Sequence, residues 1–141
     1  MTASREIRIT RVVGFSAAHR YHVDALSDDQ NRRLFGKCNR LHGHGHNYRL
    51  EVTVGGPVDP VTGMVMNLAD LDRLLRSRVV DALDHSFLNY DVEHFSTVVP
   101  TCENIVLWLR DLLDPALGAI GISLKRLRLY ESDDLYAEVG S

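Results

Sequence analysis

Hydrophobic and polar positions alternate through the first stretch of the chain. Between Glu6 and Ala17, Ile7, Ile9, Val13, Phe15 and Ala17 share one parity, interrupted by Arg11. A period of two marks a half-buried strand. His19 keeps that parity and falls where the inward face runs out. From Arg20 to Lys37 the alternation stops. Within that stretch Ser27-Asp28-Asp29-Gln30 reads as a helix start, with Ser27 as cap and acids in the first turn, followed by basic Arg32 and Arg33. A second alternation runs through His44, His46, Tyr48, Leu50, Val52 and Val54, while Arg49, Glu51 and Thr53 take the other face. Residues i and i+2 of a strand share a face, so the two histidines project with the core residues. Gly55-Gly56-Pro57 and Asp59 to Gly63 are turn-rich and predict a hairpin connection, with Met64-Val65-Met66 as the returning strand.

The pattern then lengthens to a helical period. Asn67 is placed to cap a helix with Asp70 three residues on, and Leu68, Leu71, Leu75, Val79 and Ala82 follow its spacing. Asp84 to Asn89 reads as a loop. A second helix opens at Thr101 after Pro100, carries Ile105, Leu109, Leu112 and Leu113 on one face, and ends at Pro115 and Gly118. Leu124 to Tyr130 alternates again, with Leu127 and Leu129 opposed by Arg126 and Arg128. Glu131 falls on the apolar parity as that strand ends, and Asp133-Asp134 turns the chain into a last strand, Leu135 to Val139. The order β-β-β-α-α-β-β predicts an α+β fold with an antiparallel sheet. Two helices cover one face of that sheet, which leaves the other for a partner subunit.

Composition narrows the classes. A chain of 141 residues fits one domain spanning residues 1–141, with 45% hydrophobic and 25% charged residues. A formal net charge of -3 gives no bulk attraction to nucleic acid or membrane. No apolar run approaches the roughly 20 residues that span a bilayer, and Met1 to Glu6 lacks the apolar core of a signal peptide. Two separated cysteines suggest no disulfide framework and point to a reducing cytoplasm.

The chemistry gathers in Cys38 to Tyr48, where three of the seven histidines occupy five positions. Catalytic zinc takes three protein ligands and leaves a fourth position open. If the first two strands are neighbours, His19, His44 and His46 converge from matching faces. A lone histidine more often packs or caps, but an H-x-H pair beside a third histidine favours a metal. His42-Gly43-His44 is also an H-x-H pair of the same parity, so spacing leaves two registers open, of which His44 and His46 run directly into the strand. Cys38 lies between Lys37 and Arg40, cations that favour a thiolate, whereas a free cysteine is commonly an inert hydrophobe. Cys102, at a helix start, is the second candidate. Asp84-His85 suits a Cys–His–Asp proton relay, although such a pair alone is commonly surface or capping. Glu131, a carboxylate on an inner face, needs a partner, and a flat heterocycle with two adjacent N–H donors supplies one. Glu103, taken alone, serves the helix dipole.

Taken together, Phe15 to His19, Leu34 to Asn39, Gly43 to Tyr48, Gly63 to Leu71, Leu83 to His85 and Tyr130 to Ser132 resemble the 6-pyruvoyl-tetrahydropterin synthase / 6-carboxytetrahydropterin synthase family, collinearly from about Glu6 to Val139. The resemblance implies the tunnelling fold (T-fold), a four-stranded antiparallel sheet with two helices that oligomerises into a β-barrel. It implies a homohexamer built as a dimer of trimers, with active sites at subunit interfaces. It implies Zn2+ on His19, His44 and His46, Cys38 as the proton-transferring base, Asp84 and His85 as its activating partners, and Glu131 as the pterin anchor. Thr101 and Glu103 match a segment lining the pterin pocket, where Pro100 and Cys102 depart from the family's pattern. The implied substrate is 7,8-dihydroneopterin triphosphate, and the product 6-pyruvoyl-tetrahydropterin with triphosphate eliminated.

A sister group with the same fold and zinc makes 6-carboxytetrahydropterin for queuosine-type deazapurines. Its spacing, Cys-x3-His-Gly-His, is met by Cys38 to His44, and the pyruvoyl spacing, Cys-x5-His-Gly-His, by Cys38 to His46. The Leu34 to Asn39 and Met64 to Leu71 blocks favour the pyruvoyl enzyme. From the ligands alone, a zinc hydrolase and a non-catalytic metal-stabilised oligomer stay open as well.

Overall fold

The computed structural model describes residues 5–140; Met1 to Ser4 and Ser141, which belong to the signal-peptide and domain-span readings, lie outside them. Strand β1 (Glu6–His19) pairs antiparallel with β2 (His44–Pro57) along its whole length, and β4 (Ser123–Ser132) and β5 (Leu135–Gly140) extend the sheet beyond β2. The expected four-stranded antiparallel sheet is therefore present. A fifth strand, β3 (Ser86–Phe87), adds two residues parallel to β1 at Ala17 and Ala18, giving the order β3-β1-β2-β4-β5.

Three expectations are corrected. Met64-Val65-Met66 is irregular chain with a bend at Val65 and Met66 rather than a strand, and β1 itself is the partner of β2. The apolar triplet is too short to bury a face: Met64 is exposed, whereas Met66 tucks into the core. The expected loop after Asp84 contains β3 and a short helix, α4 (Leu88–Asp91), whose Leu88 is fully buried. Pro115 lies inside α5 (Cys102–Gly118) rather than ending it.

Local sequence explains the helices. Helix α1 (Asp28–Phe35) has a reciprocal capping box, in which the Ser27 hydroxyl accepts from Gln30 N–H and the Gln30 side chain accepts from Ser27 N–H. Asn67 caps α2 (Leu68–Leu75) by accepting from Ala69 N–H. The chain then widens into a π turn over Arg76–Val80 before closing as α3 (Asp81–Leu83). Leu71, Leu75, Val79 and Leu83 are all fully buried, each four residues after the last. A helix of 3.6 residues per turn would rotate such a series away from the core, and one wider turn returns it.

One core lies between the sheet and the helices. Phe15, Tyr48, Leu50, Val52, Leu127 and Leu129 from the sheet pack against the α2–α3 series and against Ile105, Leu109 and Leu113 of α5. The opposite face is polar and helix-free, with Thr10 hydrogen-bonded to Thr53, Arg49 stacked on Tyr130, and Arg128 paired with Glu138. Among the described residues, no helix is long and apolar enough to cross a membrane.

Candidate metal centre and active site

The β1–β2 ladder sets His19 directly opposite His44, and Ala17 opposite His46. The three imidazoles therefore meet at the end of the sheet, on the core side, with ring centroids 4.7 to 5.1 Å apart. Gly43 permits this approach. Its φ is +68°, and a Cβ there would lie 2.7 Å from the His19 carbonyl oxygen. Glu131 joins from β4. It is the residue passed over in the β4–β5 ladder, which pairs Tyr130 with Tyr136 and then Ser132 with Leu135. Such a bulge re-aims a side chain at a strand end. Its carboxylate lies 2.8 Å from His46 Nε2 and 3.5 Å from His19 Nε2.

One ligating atom from each of His19, His44, His46 and Glu131 falls within 4.8 Å of the others. His19 Nε2 and His44 Nε2 are 3.2 Å apart. On the far side of the His19 ring, Nδ1 donates to the Pro100 carbonyl at 2.8 Å, with the Tyr48 hydroxyl 3.1 Å away. His46 Nε2 is buried and has no aligned hydrogen-bond partner, despite its short distance to Glu131. A buried ring nitrogen aimed into a cluster of ligand atoms, and without a hydrogen bond there, fits a metal ligand. Burial holds both His44 and His46 below the usual histidine range, and so in the neutral, ligating form. Its histidine neighbours, His19 foremost, lower Glu131, keeping it ionised. This group can hold a metal ion.

His42 sits outside the cluster, exposed in the turn before Gly43. Cys38 is half-buried in a 3-10 turn, Gly36–Asn39, and its carbonyl accepts from Tyr21 N–H at 2.8 Å. The Tyr21 ring in turn stands edge-on to His19. The Cys38 backbone and the histidine cluster thus share one neighbour. Cys102 is fully packed, donates to the Leu129 carbonyl at 3.2 Å, and is pushed by burial up to about 11, so it stays a thiol.

Asp84 and His85 form a prepared pair at a different place. Asp84 accepts from Ser16 N–H and from His85 Nδ1, both at 2.8 Å, and the first of these contacts holds its carboxyl below the usual range. His85 has φ +62°, a left-handed conformation that non-glycine residues adopt only when their surroundings fix it. Its side chain is 85% exposed, beside a surface hollow shared with His46 and Asn47. Among the described residues no hydrogen bond joins Cys38 to either member of the pair. Within one chain the expected relay is not assembled. Thr101 caps α5 by accepting from Asn104 N–H, and Glu103 is exposed in its first turn. Sequence reasoning missed Tyr48 and Pro100. Tyr48 carried a signal, since it follows His44 and His46 on one parity; a backbone carbonyl carries none.

A family model for 6-pyruvoyl tetrahydropterin synthase matches residues 8–141. The chain belongs to the 6-pyruvoyl tetrahydropterin synthase family. It is 45% identical over 129 residues to a human 6-pyruvoyl tetrahydrobiopterin synthase, covering 92% of this chain and 88% of the human one. The solved Caenorhabditis elegans 6-pyruvoyl tetrahydropterin synthase superposes with a TM-score of 0.92 at 38% identity, covering 100% of this chain and 99% of that one. An Archaeoglobus fulgidus protein named as a 6-carboxy-5,6,7,8-tetrahydropterin synthase is more distant, 37% identical over 103 residues, with 73% and 78% covered. The tunnelling-fold family expected from the sequence blocks is thus the one found, on the pyruvoyl side.

Proposed function

We propose that this chain is a zinc-dependent lyase converting 7,8-dihydroneopterin triphosphate to 6-pyruvoyl-tetrahydropterin, with elimination of triphosphate. The observation that carries the reading is the convergence of His19, His44 and His46 beside the buried carboxylate of Glu131. Zinc bonds of about 2.0–2.1 Å would set tetrahedral ligand atoms roughly 3.3 Å apart. The 3.2 Å between His19 and His44 is close to that spacing. Zinc bound by the three histidines would supply Lewis-acid polarisation of the substrate's side-chain oxygens.

The chain's own residues do the rest. The Cys38 thiolate takes the proton from the carbon made acidic beside those oxygens. Glu131, ionised, receives two adjacent N–H donors of the pterin ring, a planar match that fixes its orientation. Thr101 and Glu103 border the ring from the start of α5. Asp84 orients His85, whose exposed ring is free to meet the Cys38 of a neighbouring subunit. That reading goes with a homohexamer, a dimer of trimers with its sites at the interfaces, and the polar helix-free sheet face supplies the lining of a trimeric barrel. Both cysteines are free, as the reducing cytoplasm we assign to the protein requires.

The test is product identification by mass after incubating zinc-loaded protein with 7,8-dihydroneopterin triphosphate. A pyruvoyl pterin with free triphosphate is expected. A carboxypterin with acetaldehyde would instead make the chain a 6-carboxy-5,6,7,8-tetrahydropterin synthase. Turnover that survives Cys38→Ala would point to a zinc hydrolase, and neither pterin binding nor phosphate release to a metal-stabilised oligomer.

A further inference from the structure

We propose that the loop bearing Cys38 also builds a polyphosphate subsite, in which Arg20, Arg32, Lys37 and Arg40 receive the substrate's triphosphate. This rests on the reaction proposed above. A cavity of about 510 Å³ lies on that loop, lined by these four cations together with Gly36, Asn39 and Leu41, and no carboxylate lines it. Four positive side chains around one hollow are notable in a chain of net charge -3. Arg32 pairs with Asp29 on its own helix. Among the described residues, Arg20, Lys37 and Arg40 have no carboxylate partner within ion-pair distance.

Arg20 is built into this position. Asn89 clamps its backbone from both sides, accepting from Arg20 N–H at 2.9 Å and donating to its carbonyl at 2.8 Å. Its Nε donates to the Asn39 carbonyl at 2.9 Å. That bond fixes the guanidinium plane and leaves the two terminal nitrogens for a ligand, the fork geometry that suits phosphate oxygens. Lys37 and Arg40 line the same hollow and are exposed.

Placement joins the hollow to the chemistry. Arg20 directly follows His19, Lys37 and Asn39 flank Cys38, and the Tyr21 to Cys38 backbone bond ties the two segments together. A substrate whose reacting carbons face His19 and Cys38 would have its charged tail led to this side. Elimination then breaks a C–O bond, the electron pair leaves on the phosphate oxygen, and the cations stabilise the charge that develops there.

The experiment titrates inorganic triphosphate and, separately, unphosphorylated 7,8-dihydroneopterin into the full chain, with and without zinc. The zinc-free titration excludes chelation of the metal by the probe. The variants are Lys37→Gln, Arg40→Gln and the pair combined, both sites being exposed and so tolerant of change. Each substitution is expected to weaken triphosphate binding about tenfold and to raise KM for the phosphorylated substrate by a similar factor. Zinc content and dihydroneopterin affinity should stay at wild-type values. Triphosphate that fails to bind the wild type, or binds the double variant equally well, would overturn the subsite. Lost dihydroneopterin binding with triphosphate binding intact would instead fell the assigned reaction and leave the subsite standing.

Discussion

The Nδ1 nitrogen of His19 lies 2.8 Å from the carbonyl oxygen of Pro100, a contact across 81 positions of sequence. A carbonyl oxygen only accepts, so Nδ1 must carry the proton and Nε2 the lone pair. That lone pair faces His44 and Glu131. The ring is therefore set in its ligating tautomer by a backbone group just before α5, which ties the metal site to the helical layer.

Tyr48→Phe tests the second contact on that nitrogen. The ring stacks on Phe15 at 5.0 Å, and phenylalanine keeps that packing while deleting the hydroxyl 3.1 Å from His19 Nδ1. Zinc affinity, read by competition with a chromogenic chelator, should fall about tenfold, the lower end of what outer-shell partners contribute. Unchanged affinity would mean that Pro100 alone orients the ring.

Gly43→Ala should be costly in spite of its small size. The added carbon would meet the His19 carbonyl oxygen and the Phe87 ring, each at 2.7 Å, and it would sit at a φ of +68°. A backbone oxygen between two paired strands cannot move aside as a surface side chain can. A loss of about 1–3 kcal/mol in urea unfolding is expected, with weaker zinc binding because His44 is the next residue. Full stability would show that the strand end is looser than its contacts imply.

Much of this site was legible because strands repeat every two residues. His19, His44 and His46 continue the parities of Phe15, Ala17, Tyr48 and Leu50, so their convergence needed only the pairing of β1 with β2. Glu131 was legible on the same ground, although the bulge that aims it was not. Spacing could not choose between the His42–His44 and His44–His46 pairs, because both have the same parity; the turn at Gly43 leaves His42 exposed. Met64-Val65-Met66 misled because three apolar residues look alike in a strand and in a bend that tucks in one side chain. Pro115 misled because a proline late in a helix removes one N–H bond, which the well-packed α5 tolerates. That Cys38 and the Asp84–His85 pair share no hydrogen bond within the described residues was invisible, since no local pattern records where two loops end up.

The two thiols should respond oppositely to alkylation. Cys102 is packed beneath α5, bonded to the Leu129 carbonyl and pushed up to about 11, while Cys38 is half-buried on a cation-rich loop. Iodoacetamide reacts with thiolates, so peptide mapping after brief exposure of the folded protein at pH 8 should find Cys38 modified and Cys102 intact. Equal labelling would place Cys102 in a solvent-open environment and count against the packing described.

Acid should destabilise the metal-free protein. Burial lowers His44 and His46 in the folded state, so between their folded values and the unfolded value of 6.5 the unfolded chain binds more protons. Stability then falls as pH drops below about 6.5. Glu131 is lowered by its histidine neighbours, His19 foremost, so its contribution is present above the unfolded value of 4.5 and is lost as pH falls toward the folded one. Both effects have the same direction but occupy separate windows. The urea midpoint of zinc-free protein should be lower at pH 5.5 than at pH 8, where the histidines alone account for the change, and should drop again below pH 4.5. Replacing His44 and His46 together by Gln should flatten the first step and leave the second, because Glu131 keeps its His19 partner. A midpoint that does not change between pH 8 and 5.5 would mean the two imidazoles are hydrated well enough to protonate freely, which the burial of this strand end contradicts.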